Sequence, residues 1–290
     1  MLRSATMQVA RRLLGACCLV HPFPVLMNAV PATAFMYMAS PEVHGGRLVT
    51  FAFAVVATHG SFGALNDFCD FELDRAAKPS KPLVRGLVSR SFALALAVVL
   101  GVVGLILSQS LNWATFGFGL AVLIAGVWYD LGAKGTILSW VPYAIFIPSG
   151  PLWGFAAAGR FEPFLLLAYP LGALVALGLN VSNTLPDLAE DVHHGIRGLP
   201  HMMGVERGLR LSWASFAAAM IGFAAASPLL GNDWRILAPG LGVGVLLLVA
   251  MIVDYAMFAS RSLKRTWYAS AFLAVLVGFA WVASLPRVTR

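Results

Sequence analysis

The chain has 290 residues, 59% of them hydrophobic and 11% charged, with a formal net charge of +7 and a mean hydropathy of +0.81. Soluble domains carry about 25% charged residues, so a soluble protein is excluded. The basic excess is scattered over short connections, which argues against a nucleic-acid partner and suits the anionic lipid of a cytoplasmic membrane face.

The composition predicts an all-α integral membrane protein, because helices satisfy their own backbone hydrogen bonds in lipid. A span needs about 20 mostly apolar residues. Nine stretches qualify, at about 15–39, 47–65, 91–108, 112–129, 136–158, 163–182, 211–230, 235–258 and 267–285. Their connections leave no room for a soluble domain, so 1–290 reads as one transmembrane domain. With the N-terminus in the cytoplasm, Arg3, Arg11, Arg12, Arg75, Lys78, Lys81, Arg85, Arg90, Lys134, Arg197, Arg207, Arg210, Arg261, Lys264 and Arg265 fall inside, 15 of the 20 Lys and Arg. Arg47, Arg160, Arg235, Arg287 and Arg290 fall outside, as the positive-inside rule requires. The absence of a transit peptide suggests a bacterial inner membrane.

In chain order, LGAC at 14–17 looks like a lipoprotein signal, but only two residues separate Arg12 from Gly15. That apolar region is too short, and a plain first span is the reading. Cys17, Cys18 and Cys69 imply no disulfide framework. The second span ends in NDFCDFELD, with Asn66, Asp70 and Asp74 at steps of four; Asp67 and Glu72 lie off that face. Basic sequence punctuated by Gly and Pro follows, with Lys78, Lys81 and Arg85. The connection 128–140 carries Tyr129 and Lys134. After the sixth span the same pattern recurs as Asn183, Asp187 and Asp191 in NTLPDLAED, with Glu190 off the ladder and Arg197 beyond it. A step of four returns to nearly the same helix face about 6 Å further on, so each motif predicts a ladder of oxygens; Pro186 should disturb the second.

Crowded carboxylates repel and need cations. Oxygen donors without His or Cys suit Mg²⁺, which prefers few carboxylates together with waters and phosphate oxygens. The two motifs therefore predict a phosphate-bearing, anionic ligand bridged by metal, with Lys78, Lys81, Arg85 and Arg197 neutralising the remaining charge.

Asn66-Asp67-x-x-Asp70-x-x-x-Asp74 and Asp187-x-x-x-Asp191 resemble the two aspartate motifs of the UbiA superfamily of intramembrane prenyltransferases, and the apolar pattern resembles its nine helices along the whole chain. The resemblance implies a helical bundle with a cytoplasm-facing cavity and an isoprenyl diphosphate substrate. Mg²⁺ would be held by Asn66, Asp67, Asp70, Asp74, Asp187 and Asp191. Asn183 would serve the diphosphate, and Tyr129 and Lys134 resemble the family's tyrosine-and-lysine loop beside it. Lys81 stands where many members have Arg, which replaces a fork donor by a point charge. His193 and His194 stand where a basic residue is expected, and His21 near a helix-one Arg. The implied reaction transfers the prenyl group, through an allylic carbocation, to an aromatic, quinone-precursor or other lipophilic acceptor.

A carbocation needs a dry pocket with aromatic faces; Phe62, Trp128, Tyr143, Phe146 and Trp153 are candidates. Gly60, Gly63, Gly172 and Gly178 would let helices approach closely. Two alternatives share the chain. A terpene cyclase would use the same metal site without a separate acceptor. A transporter would place charges mid-span, and Asp254, expected to pair with Arg261, Lys264 or Arg265, is the main exception to their absence.

Overall fold

The computed structural model describes residues 13–193 and 195–286. Arg3, Arg11, Arg12, His194, Arg287 and Arg290 lie outside them. The described residues form helices and connections without strands. The helices are α1 Leu13–Leu19, α2 Pro22–Ala39, α3 Gly45–Cys69, α4 Phe71–Ala77, α5 Arg90–Leu111, α6 Trp113–Leu131, α7 Trp140–Ala157, α8 Ala168–Thr184, α9 Leu188–His193, α10 Leu199–Leu230, α11 Trp234–Phe258 and α12 Leu263–Ala283.

Each of the nine apolar stretches holds a helix, but the count of spans differs from the expectation. Among the described residues seven helical segments are long and apolar enough to cross a membrane, or eight when α1 and α2, bent by 60°, are taken as one. The segment falling short is α7, at 136–158. Its 18 residues include Pro148 and Pro151 inside the helix, together with Gly150 and Gly154, and these dilute its apolar content.

Helix starts follow side-chain chemistry. Ser89 accepts from the Phe92 N–H at 3.1 Å to begin α5. Asn112 accepts from the Thr115 N–H at 2.8 Å to begin α6. Each bond satisfies one of the donors a helix N-terminus leaves open.

Packing runs inside-out relative to a soluble protein. Val98, Ile221 and Leu246 point outward and are more than half exposed, whereas Thr58, Ser108, Asn180 and Ser212 are fully buried. This is the distribution expected where lipid replaces water outside. The largest core joins Phe35, Leu152, Phe155, Phe216 and Trp281 from α2, α7, α10 and α12. Helix α3 packs on α2, α5 and α6, and α8 packs on α7, α10 and α12. Close approach uses glycine as predicted. A Cβ at Gly63 would lie 2.7 Å from the Leu19 carbonyl, and one at Gly178 would lie 2.8 Å from the Phe216 ring.

The two acid motifs begin in α3 and α8. The first leaves its helix at the middle acid, and the second two residues before it. Asp70 separates α3 from α4, although the bonds from Asp70 N–H to Asn66 O and from Asp74 N–H to Asp70 O, both 2.8 Å, keep the helical step. Pro186 has the expected effect: α8 gives way to a 3₁₀ turn at Leu185–Asp187 before α9.

Candidate active site

One cavity of about 510 Å³ opens inside the bundle. Asn66, Asp70, Asp74, Asp187 and Asp191 line one end of it. Phe35, Ile147, Val277 and Trp281 line its apolar limb. The volume lies within the ordinary range of small-molecule sites.

The acids are bound by cations of the chain itself. The Lys81 ammonium donates to Asp67 at 2.7 Å and to Asp74 at 2.5 Å. Lys134 pairs with Asp70. Lys78 donates to Asp187 at 2.7 Å, joining the loop after the first motif to the second motif. Asp191 pairs with His201 Nε2 at 3.1 Å. Asp67 is buried behind the rim and also meets His21 Nε2 at 3.0 Å. His21 sits at the α1–α2 bend with φ of 51° and ψ of 72°, a left-handed conformation that costs a non-glycine residue about 1–3 kcal/mol and here directs its ring at Asp67.

Burial pushes the Asp74 carboxyl above its usual range, the Lys81 bond opposes this, and the Asp70 and Asp67 charges add to it. Burial works against the Lys78 and Lys81 ammonium groups, yet their carboxylate partners outweigh it and raise both. Both lysines therefore stay charged at neutral pH.

Most residues expected at the site meet there. Tyr129, Lys134 and Asn183 line the cavity with the rim acids. Asn183 donates to the Tyr143 hydroxyl at 3.0 Å, and Tyr143 packs 5.4 Å from Tyr129 and 4.7 Å from Phe146. Phe62 also lines the cavity. Others stand apart. Arg85 and Arg197 are exposed and outside the lining, as is His193 at the end of α9. Trp128 is 40% exposed, and Trp153 is buried against Phe51 behind the wall. Arg265 takes Asp254 through two hydrogen bonds of 3.0 and 2.8 Å, away from the cavity. The three cysteines are free.

Sequence reasoning missed three lining residues. Asp130 is buried, accepts from the Asn66 amide at 3.1 Å, and keeps its second carboxylate oxygen unpartnered. His201 Nδ1 is likewise buried and unpartnered. His59 lines the cavity from within α3. Only Asp130 had a signal, as the one acid in the Tyr129–Lys134 connection.

The metal question turns on this donor set. Among the described residues no three His, Cys, Asp or Glu side chains converge as a metal cluster. The physical reason is that the five motif acids already hold ammonium or imidazole groups. The chemistry nevertheless fits a hard divalent cation: the rim supplies oxygen donors, its charge is balanced by cations, and Asp130 adds an orphaned oxygen beside Asn66.

An ionic rim and an apolar limb in one helical membrane bundle define a site for an amphiphile with an anionic head. The chain belongs to the UbiA prenyltransferase family, whose model matches residues 28–276; it is a prenyltransferase. Digeranylgeranylglyceryl phosphate synthase of Halobacterium salinarum is 35% identical over 223 residues, covering 72% of this chain and 76% of the relative. The protein of that name from Thermococcus gammatolerans is 28% identical over 225 residues, covering 76% and 78%. Among solved structures, a UbiA homologue from Aeropyrum pernix K1 superposes with a TM-score of 0.73 at 20% identity, covering 88% of this chain and 96% of that one. A UbiA homologue from Archaeoglobus fulgidus bound to DMAPP and Mg²⁺ gives 0.69 at 19% identity, covering 92% and 98%.

Proposed function

We propose that this protein is a Mg²⁺-dependent prenyltransferase of nine membrane spans, with its acid rim facing the cytoplasm. It takes an isoprenyl diphosphate and passes the prenyl group to a lipophilic acceptor. The observation that carries the reading is the continuity of one cavity from carboxylates and ammonium groups to an apolar limb. An isoprenyl diphosphate has that division of polarity. The relatives' name indicates the acceptor class, a glyceryl phosphate lipid with one prenyl chain and a free hydroxyl. Their archaeal origin points to an archaeal-type membrane lipid rather than the bacterial setting expected from the sequence.

Asn66, Asp70 and Asp74, with Asp187 and Asp191, would hold Mg²⁺, which when bound supplies positive charge to the leaving diphosphate; Asp67, expected among them, lies behind the rim and holds His21 and Lys81 instead. Lys78, Lys81 and Lys134 reach the same rim and donate to diphosphate oxygens as negative charge develops there. Asn183 and Tyr143 fix one wall by their hydrogen bond. The Tyr129, Tyr143, Phe146 and Phe62 rings surround the allylic carbon, keep water away and present π faces to its positive charge. The limb holds the prenyl tail.

The test gives purified protein geranyl, farnesyl and geranylgeranyl diphosphates with and without Mg²⁺, then geranylgeranylglyceryl phosphate. Transfer that needs metal and is lost in Asp70→Ala and Asp187→Ala is the expected result. A Mg²⁺-dependent cyclic product formed without acceptor would replace the reading by a terpene cyclase. Binding and turnover indifferent to metal and to both aspartates would refute it.

A further inference from the structure

His59 lies in the middle of α3, nine-tenths buried, and lines the cavity with Phe62, Gly63 and Asn66 of the same helix. A cavity serving only a hydrocarbon tail gives no reason for an imidazole in its wall. Its Nδ1 lies 3.0 Å from the Val55 carbonyl. A carbonyl only accepts, so Nδ1 carries the hydrogen, and the neutral ring keeps its lone pair on Nε2. The helix therefore fixes both the tautomer and the ring direction. Phe62 and Trp153 flank the ring with centroids 5.3 and 6.3 Å away, so the imidazole is gripped between aromatic surfaces.

Position along α3 gives this lone pair a use. His59 and Asn66 are seven residues apart, two helical turns and about 10 Å. Three contacts fill that length. The first joins Asn66 to the diphosphate, at about 3 Å. The second is the approach of a nucleophile to the prenyl C1, at about 3–3.5 Å. The third is a hydrogen bond from the nucleophile to Nε2, at about 2.8 Å. With the ester C1–O bond between the first two, a nucleophile attacking C1 from the side of the limb stands within reach of His59.

We propose that His59 Nε2 is the base that orients the acceptor's hydroxyl and takes its proton. The C1–O bond to diphosphate breaks and its electron pair leaves with the diphosphate. The hydroxyl oxygen forms the new bond to C1, and its proton goes to Nε2. The imidazolium keeps its Nδ1–H bond to Val55 and then releases the added proton to water as the products leave. The proposal rests on the transferase reading and adds the group that accepts the proton.

The test uses the full chain in nanodiscs with Mg²⁺ and geranylgeranyl diphosphate. One arm offers geranylgeranylglyceryl phosphate as nucleophile, and the other offers water alone, with geranylgeraniol as product. His59→Gln should lower kcat by about 10²–10⁴-fold in both arms, the usual worth of a general base, with the KM for the diphosphate unchanged. Added imidazole should restore turnover in His59→Ala, where the ring's space is open, and should leave wild type unaffected; a packing role predicts no such rescue. Full turnover in His59→Gln overturns the proposal, as does loss of diphosphate binding in both variants, which would make His59 a packing residue. A wild type that hydrolyses but does not transfer refutes the chosen acceptor, and the hydrolysis arm still decides on His59. A wild type that does neither refutes both.

Discussion

Lys81 carries more of the site's electrostatics than any other residue, and Lys81→Met measures it. The ammonium lies between two nearly inaccessible carboxylates, Asp67 and Asp74, and its own side chain is only 20% exposed. Removing one partner of a buried pair costs about 3–5 kcal/mol, because the other charge stays behind without compensation. Asp67 keeps His21 at 3.0 Å, which places the expected loss at the lower end, about 3 kcal/mol. Reversible unfolding in mixed micelles at neutral pH, without metal, reads it. Adding Asp74→Asn removes one stranded charge and should recover about 1–2 kcal/mol as a coupling between neighbours. The pH dependence has a definite sign. Lys81 has a raised pKa in the fold, so its contribution is complete below the ordinary lysine value and lost as pH rises through the raised one. The Asp74 carboxyl is also raised, so the folded state favours its proton and the deficit of Lys81→Met should shrink on acidification. A Lys81→Met protein as stable as wild type, or a double variant no better than the single, would refute this account of the rim.

Lys78 should behave in the opposite way: its pair with Asp187 is about half exposed, so Lys78→Met should cost under about 1 kcal/mol of stability. Its loss should weaken diphosphate binding by about 10–100-fold, the worth of one charge-assisted hydrogen bond, measured by titration calorimetry. Gly63→Val should destabilise by about 1–3 kcal/mol, because its Cβ meets the Leu19 backbone at 2.7 Å. Gly117→Ala, which points into open space on α6, should be neutral or gain about 0.5–1 kcal/mol in the same unfolding assay.

The sequence carried the ladder chemistry because spacing of four survives any arrangement of helices. Asn66, Asp70 and Asp74 keep that step through the α3–α4 break, and Pro186 disturbs the second motif where a missing N–H demands it. Span positions were legible from hydropathy, but the count was not, since the prolines and glycines inside α7 dilute its apolar content. Side-chain direction at the rim escaped as well. Arg85 and Arg197 were grouped with the lysines by sequence proximity, yet the turns bearing them point both to solvent. His59 and His201 were invisible for a different reason: their roles arise from long-range encounters with the cavity, and an isolated His has no spacing that announces one.

Both motifs share a construction with consequences for turnover. The asparagine of each belongs to a long helix, α3 or α8, held in the bundle, while the last acid stands on a helix of seven or six residues, α4 or α9. Each acid motif thus has an anchored root and a short outboard arm, and the joint falls at or beside the middle aspartate. The arms are tied across the opening by the half-exposed Lys78–Asp187 contact. Such a mouth could open by displacing two arms of about two turns each, which would leave the membrane helices in register.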